Sequence, residues 1–157
     1  METQHRLLNE LISNPNKPIY MAPDFKKLEK EIIERFEGTI QAHWEKDVDY
    51  LLADIGEGFF SMSEAEITHP SVEEQKRRFT DYLNSTTFTE YRSLMQPEIE
   101  FSDDASMAWG SFKVKVAGET SNKDGSKTDL NFVCAWLWLY RRVENRWVRV
   151  GEISTWK

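Results

Sequence analysis

The segment TDLNFVCAWLWLYRR, residues 128–142, is apolar at both strand parities. Phe132, Cys134, Trp136 and Trp138 form one stripe; Val133, Ala135, Leu137 and Leu139 form the other. Successive side chains of a strand point to opposite faces, so a strand with two apolar faces must be covered on both. Helices of the same chain can cover one face. The other cover is more of this chain or a second subunit.

The flanking sequence keeps the period of two. After a turn at Glu144-Asn145, residues 147–156 read as the last strand, with Val148 and Val150 inward and Arg149 outward. Glu152 and Ser154 share the valines' parity. Before the central segment, residues 107–117 read as a strand with Phe112, Val114 and Val116 on one side and Lys113 and Lys115 on the other. Met107 and Trp109 sit on the opposite parity, which a bulge near Gly110 would reconcile. Residues 118–126 read as a polar hairpin loop with Asp124-Gly125 as its turn signal. Residues 88–95 and 98–102 read as one long strand interrupted near Pro97, and Asp103-Asp104 as a turn.

The first half of the chain has a different period. Phe25, Leu28, Ile32, Phe36, Ile40, Trp44 and Val48 recur at three or four residues, the spacing of an amphipathic helix that begins at Asp24. Glu31 and Arg35 form an i,i+4 pair on its polar side. Asp47 caps a short second helix over residues 48–53, ended by Gly56 and Gly58. Residues 59–68 read as a strand. Ser71-x-x-Glu74 is a capping box that opens a third helix through about Asn84. Helices beside an antiparallel sheet define an α+β domain, here over residues 24–157. Residues 1–23 read as an appendage, with a short amphipathic helix on Leu7, Leu8, Leu11 and Ile12 ended by Asn14-Pro15.

Composition narrows the function. The 157 residues carry a net charge of -7, and the acidic excess lies in residues 1–100, with 20 acids against 11 bases. Nucleic-acid binding needs a basic face and is not expected. The single cysteine, Cys134, lies in the apolar run and reads as a buried thiol, with no internal disulfide. The longest apolar stretch, residues 132–140, is too short to cross a bilayer, so no membrane partner is expected and the expected location is cytoplasmic. His5, His43 and His69 are scattered, and neither a metal-ligand spacing nor a nucleotide-binding fingerprint occurs. No metal and no cofactor are implied.

Residues 32–156 resemble the nuclear transport factor 2-like (SnoaL-like) superfamily. The matching features are the long first helix, the short second helix opened by Asp47-x-Asp49, and the capped third helix. Asp103-Asp104-Ala105-x-Met107-Ala108-x-Gly110 is similar to the stretch before the family's central hairpin. Tyr140-Arg141-Arg142-x-x-Asn145-Arg146-Trp147 resembles its arginine-pair, turn, arginine-tryptophan hairpin. The resemblance implies a cone-shaped, curled antiparallel sheet wrapped around three N-terminal helices, and a homodimer through the sheet face. It is nearly silent on activity, because this fold hosts isomerases, cyclases, dehydratases and non-enzymatic modules. The isomerase apparatus is not reproduced. Gly38-Thr39-Ile40 stands where the family's tyrosine would be, and Trp136-Leu137-Trp138 where its protonated aspartate would be. The last strand has Gly151-Glu152-Ile153-Ser154 where many relatives carry histidines.

Two carboxylates are candidates for acid/base chemistry. Glu152 would point into the cone unless a bulge at Gly151 redirects it, and burial there would raise its pKa. An arginine partner would instead mark it as structural. Glu64, with Glu66, is a candidate base at the mouth by resemblance. Trp44, Trp109 and Trp136, with Glu152 and Ser154, are the candidate pocket lining. The tryptophans suit a ligand wall, and also a packed core or a dimer face, which is the better reading for most of them. Two functions follow. One is a pocket protein for a small apolar or aromatic molecule, with or without acid/base chemistry. The other is a dimeric interaction module whose pocket is filled by its own side chains.

Overall fold

The computed structural model describes residues 22–157, so the helix expected on Leu7 to Ile12 lies outside the described residues. The Asp24 carboxylate accepts the Lys27 backbone N–H at 3.2 Å and caps helix α1 (Phe25–Glu45). Asp47 does the same for α2 (Val48–Leu52), accepting from Tyr50 at 2.8 Å. Ser71 and Glu74 form the full capping box of α3 (Val72–Ser85). The Asp47 cap and the Ser71-Glu74 box are those the sequence predicts, and Asp24, expected as the start of the first helix, is its cap.

Among the described residues there are seven strands: β1 (Ile55–Ser63), β2 (Glu66–Thr68), β3 (Thr86–Ser93), β4 (Glu98–Phe101), β5 (Met107–Ser121), β6 (Lys127–Val143) and β7 (Arg146–Trp156). They form one curled, unclosed sheet in the order β2-β1-β7-β6-β5-β3, with β4 also on β5. The sheet is mixed rather than wholly antiparallel, because β1 runs parallel to β7. The stripe containing Cys134, Trp138 and Tyr140 faces the helices, and all three are buried. Phe36 of α1 stacks on Phe112 with ring centroids 4.4 Å apart, and Phe112 lies 4.6 Å from Trp138. The opposite stripe, Val133, Ala135, Leu137 and Leu139, is half-buried.

Several expectations change at this level. Residues 59–68 are two strands, not one, joined by a two-residue turn at Glu64 and Ala65, both with positive φ. β5 keeps one register against β6 throughout, so no bulge occurs at Gly110. Ala108 and Gly110 face inward with Phe112, and Met107 and Trp109 simply face out. The hairpin loop is shorter than expected, because pairing continues to Ser121↔Lys127. Leu28, Ile32 and Phe36 are buried on α1, but Phe25 and Trp44 are 41% and 44% exposed. Each step of four residues overshoots a full turn by about 40°, so a stripe extended by fours rotates off the core. Thr39, Ala42 and His43 take over the buried face.

The charged residues also move. Arg35 does not pair with Glu31; it reaches inward, and its Nη2 donates to Asp54 Oδ1 at 2.8 Å. Arg149, expected outward, is 5% exposed and donates to the same Asp54 oxygen at 3.2 Å and to the Leu51 carbonyl at 3.1 Å. The Arg149 backbone N–H donates to the Asp54 carbonyl at 2.6 Å. One buried carboxylate thus ties α1, the α2–β1 junction and β7. Removing one member leaves uncompensated buried charge, which typically costs about 3–5 kcal/mol. Asp54→Ala is expected to lower unfolding stability by that amount. Urea denaturation with an unchanged slope checks it.

His43 is the second buried polar anchor. Its Nδ1 lies 2.7 Å from the Thr39 carbonyl, which can only accept, so Nδ1 carries the hydrogen. The Tyr91 hydroxyl then donates to Nε2 at 3.2 Å, and the two rings stack at 4.2 Å. Burial, with the Arg149 charge adding to it, pushes the His43 pKa down to about 4, against the Thr39 hydrogen bond that raises it. The unfolded imidazole takes its proton near pH 6.5. Below that pH the unfolded chain binds more protons than the folded one. The stability conferred by neutral His43 is therefore complete above pH 6.5 and is lost as pH falls toward 4. Between pH 7 and pH 4.5 the native protein is expected to lose on the order of 2–3 kcal/mol more than His43→Gln. Denaturant titrations of both proteins at the two pH values measure that difference.

Candidate functional site

An irregularity in β7 places the polar side chains. Tyr140 pairs with Arg149, yet the neighbouring Leu139 pairs with Gly151, so Val150 is an extra residue in the ladder. Arg149 takes the inward direction of Tyr140, and Glu152 that of its partner Trp138. Val148, opposite the exposed Arg141, turns outward. Gly151 accommodates the close approach of β1. A Cβ there would lie 2.3 Å from the Phe60 ring.

Glu152 lines two neighbouring spaces under the sheet. An inner chamber of about 190 Å³ is walled by Tyr82, Tyr91, Trp136 and Trp138, with His43 and Arg149 also on its surface. An outer mouth of about 330 Å³ adds Phe59, Ser61, Gln75 and Arg78. Glu152, Phe79 and Tyr82 border both. The Glu152 side chain is 26% exposed. Its Oε1 accepts the Ser61 hydroxyl at 3.2 Å, and its Oε2 lies 3.6 Å from Arg149 Nη1. The Arg149 guanidinium lies 4.4 Å from the centre of the Trp138 ring.

The sequence candidates separate in space. Glu152 and Trp136 line the inner chamber together. Ser154 has Glu152's parity and pairs with Trp136, but lines neither space. Trp44 projects from the exposed side of α1, and its indole N–H donates to the Tyr91 carbonyl at 3.3 Å. Trp109 is 40% exposed on the outer face of β5. Glu64 and Glu66 are exposed, at and beside the β1–β2 turn, and border neither space. Tyr82, Tyr91, His43, Ser61 and Arg149 were not singled out from the sequence. Each lies on a different element from most of the others, and no local spacing links them. The only sequence signal for Arg149 is the neighbouring Gly151, a common bulge residue.

The chemistry available is narrow. Burial raises the Tyr91 and Tyr82 phenols well above their usual range, so both stay protonated at neutral pH. Burial pushes the Cys134 thiol up to about 12, with the Glu152 charge adding to it, so it is no nucleophile. Among the described residues, Glu152 is the one carboxylate that borders the two spaces, and Arg149 and Arg78 are the cations there. Among the described residues, no three or more His, Cys, Asp or Glu side chains gather where a metal ion could be held. No helix among them is long and apolar enough to cross a membrane.

No family model matches the sequence, and no curated protein matches it. Solved structures do match the architecture. A nuclear transport factor 2-like protein of unknown function from Pseudomonas putida superposes with a TM-score of 0.64 at 14% identity, over 83% of this chain and 87% of that one. A nuclear transport factor 2-like protein from Cytophaga hutchinsonii gives 0.63 at 12% identity, over 81% and 96%. A candidate dehydratase of the same family from Streptomyces avermitilis gives 0.60 at 9% identity, over 80% and 92%. The long capped helix, the short helix behind it and the curled sheet around them are thus a shared architecture, and this chain has the nuclear transport factor 2-like fold.

Proposed function

We propose that this chain is a SnoaL-like pocket protein that binds a small apolar or aromatic molecule in the inner chamber. The carrying observation is the chamber itself. Its aromatic walls leave about 190 Å³ unfilled, and the Glu152 carboxylate stands on the wall. A pocket plugged by its own tryptophan and phenylalanine side chains would favour an assembly module, and Trp136 and Trp138 instead border open space. Glu152 is placed to accept a proton or a hydrogen bond from what enters, the role of a base in isomerase-, cyclase- or dehydratase-type chemistry. Arg149, 3.6 Å from this carboxylate, is the arginine partner that marks a structural role, and the base role is proposed beside it because Glu152 also borders the chamber. A dehydratase assignment among similar folds accords with such chemistry. Titration of single-ring and two-ring aromatic compounds, followed by tryptophan emission, is expected to give saturable binding. Phe79→Trp, which enlarges a side chain lining both spaces, is expected to weaken it at least about ten-fold with an unchanged melting temperature. A panel that produces no saturable change refutes the reading.

We also infer a homodimer through the outer face of β5, β6 and β7. Leu137 and Ile153 are paired there, and Trp109, opposite Leu139 on the same face, is 40% exposed. An apolar surface of this kind marks an interface on a soluble protein. Sedimentation at tens of micromolar is expected to give twice the 18.5 kDa chain mass, and Leu137→Lys to give the monomer. A monomeric native protein would overturn the inference.

A further inference from the structure

Given a small-molecule site in the inner chamber, the charges around it restrict what the site accepts. A cation is disfavoured first. The features that would hold an ammonium group are a ring face and a carboxylate, and here both already face Arg149. Its guanidinium lies 4.4 Å from the Trp138 ring centre, and its Nη1 is 3.6 Å from Glu152. A second positive charge would sit against the first.

An anion is disfavoured next. Arg149 Nη2 is engaged by Asp54 and the Leu51 carbonyl, and the side chain is only 6% exposed. His43, the other basic group on the wall, is neutral at pH 7, and its Nε2 holds the Tyr91 hydroxyl. The charge of Glu152 itself repels a carboxylate or phosphate at the chamber wall. Counted together, Arg35, Asp54, Arg149 and Glu152 are two cations and two anions, already matched.

What remains unspent is acceptor capacity. An ionised carboxylate can take about four hydrogen bonds. Within hydrogen-bond distance Glu152 receives one, from Ser61. Glu152 borders a space walled by aromatic rings on three elements: Tyr82 on α3, Tyr91 on β3 and Trp136 on β6. The size fits as well, since a dry apolar cavity on the order of 150 Å³ suffices for benzene.

The geometry points to a neutral, planar aromatic molecule carrying an O–H or N–H donor as the occupant, with its ring in the inner chamber and its donor on Glu152. Phenol is the simplest member of that class. A donor to a carboxylate adds roughly ten-fold or more in affinity over a hydrocarbon of the same shape. The inference rests on the small-molecule site proposed above and adds the polarity of its ligand.

The test uses four single-ring probes of similar size at pH 7: phenol, toluene, benzoate and benzylammonium. Dissociation constants come from shifts of the Trp136 and Trp138 indole N–H resonances in the full-length protein. Phenol is expected to bind at least about ten-fold tighter than each of the other three. In Glu152→Leu its affinity is expected to fall to that of toluene, and in Glu152→Gln to lie between. If benzoate or benzylammonium binds as tightly as phenol, the assigned class is wrong and the small-molecule site stands. The class is equally wrong, and the site equally intact, if phenol does not exceed toluene or keeps its advantage in Glu152→Leu. If none of the four moves the resonances, the site and its assigned class fall together. The ranking in the native protein decides the matter even if the leucine variant does not fold.

Discussion

The structure depends on one carboxylate held between two arginines. Asp54 has 8% of its side chain exposed, and the Arg149 beside it has 6%. Charges so far from water are tolerated only when each finds its partner. Arg149 must therefore point under the sheet, although simple alternation would send it outward. The extra residue at Val150 satisfies that demand, and the same irregularity leaves Glu152 on the chamber wall two residues later. Arg35, Asp54, Arg149 and Glu152 form a row of alternating sign that runs from α1 to the candidate site. Packing of the helix and polarity of the chamber are consequences of one arrangement.

The chamber shows how burial narrows chemistry. Rings with polar tips would ordinarily offer several acids and bases. Here the two chamber tyrosines stay protonated, and the histidine stays neutral because burial penalises its charged form and the Arg149 charge adds to that effect. Among the described residues, only Glu152 combines a charge with a place on the lining of both compartments. A fold shared at 9–14% identity with its structural neighbours fixes none of this. The particular side chains do.

What the sequence made legible is what is local. Asp24, Asp47 and Ser71 each bond a backbone N–H three residues on, so their helices could be read from short stretches. The Glu144-Asn145 turn and the two-faced central strand are equally short-range. Glu152's direction came out of the alternation pattern, but through Val148, which in fact faces out; the bulge restores the parity that Val148 breaks. Trp136 was found because it shares a strand with the apolar run. Tyr91, His43, Ser61 and Arg149 come from four elements, and only the tertiary pairing of β7 with β1 and of α1 with β3 brings them together. The parallel meeting of β1 and β7 had no local signature either.

That meeting has a consequence for how the protein is made. Ser61 and Glu152 are 91 residues apart in sequence, and Leu51 and Arg149 are 98 apart. A chain emerging from the ribosome exposes every described helix, and six of the seven strands, before the 11 residues of β7 are free to insert. Until they do, the β1–β2 hairpin has no neighbour in the sheet, and β6 presents an unpaired edge with apolar side chains on both faces. Such an edge is a template for pairing with the wrong chain. The candidate site thus takes shape only after β7 has joined β1 and β6, and the same strand that completes it also covers the apolar edge of β6.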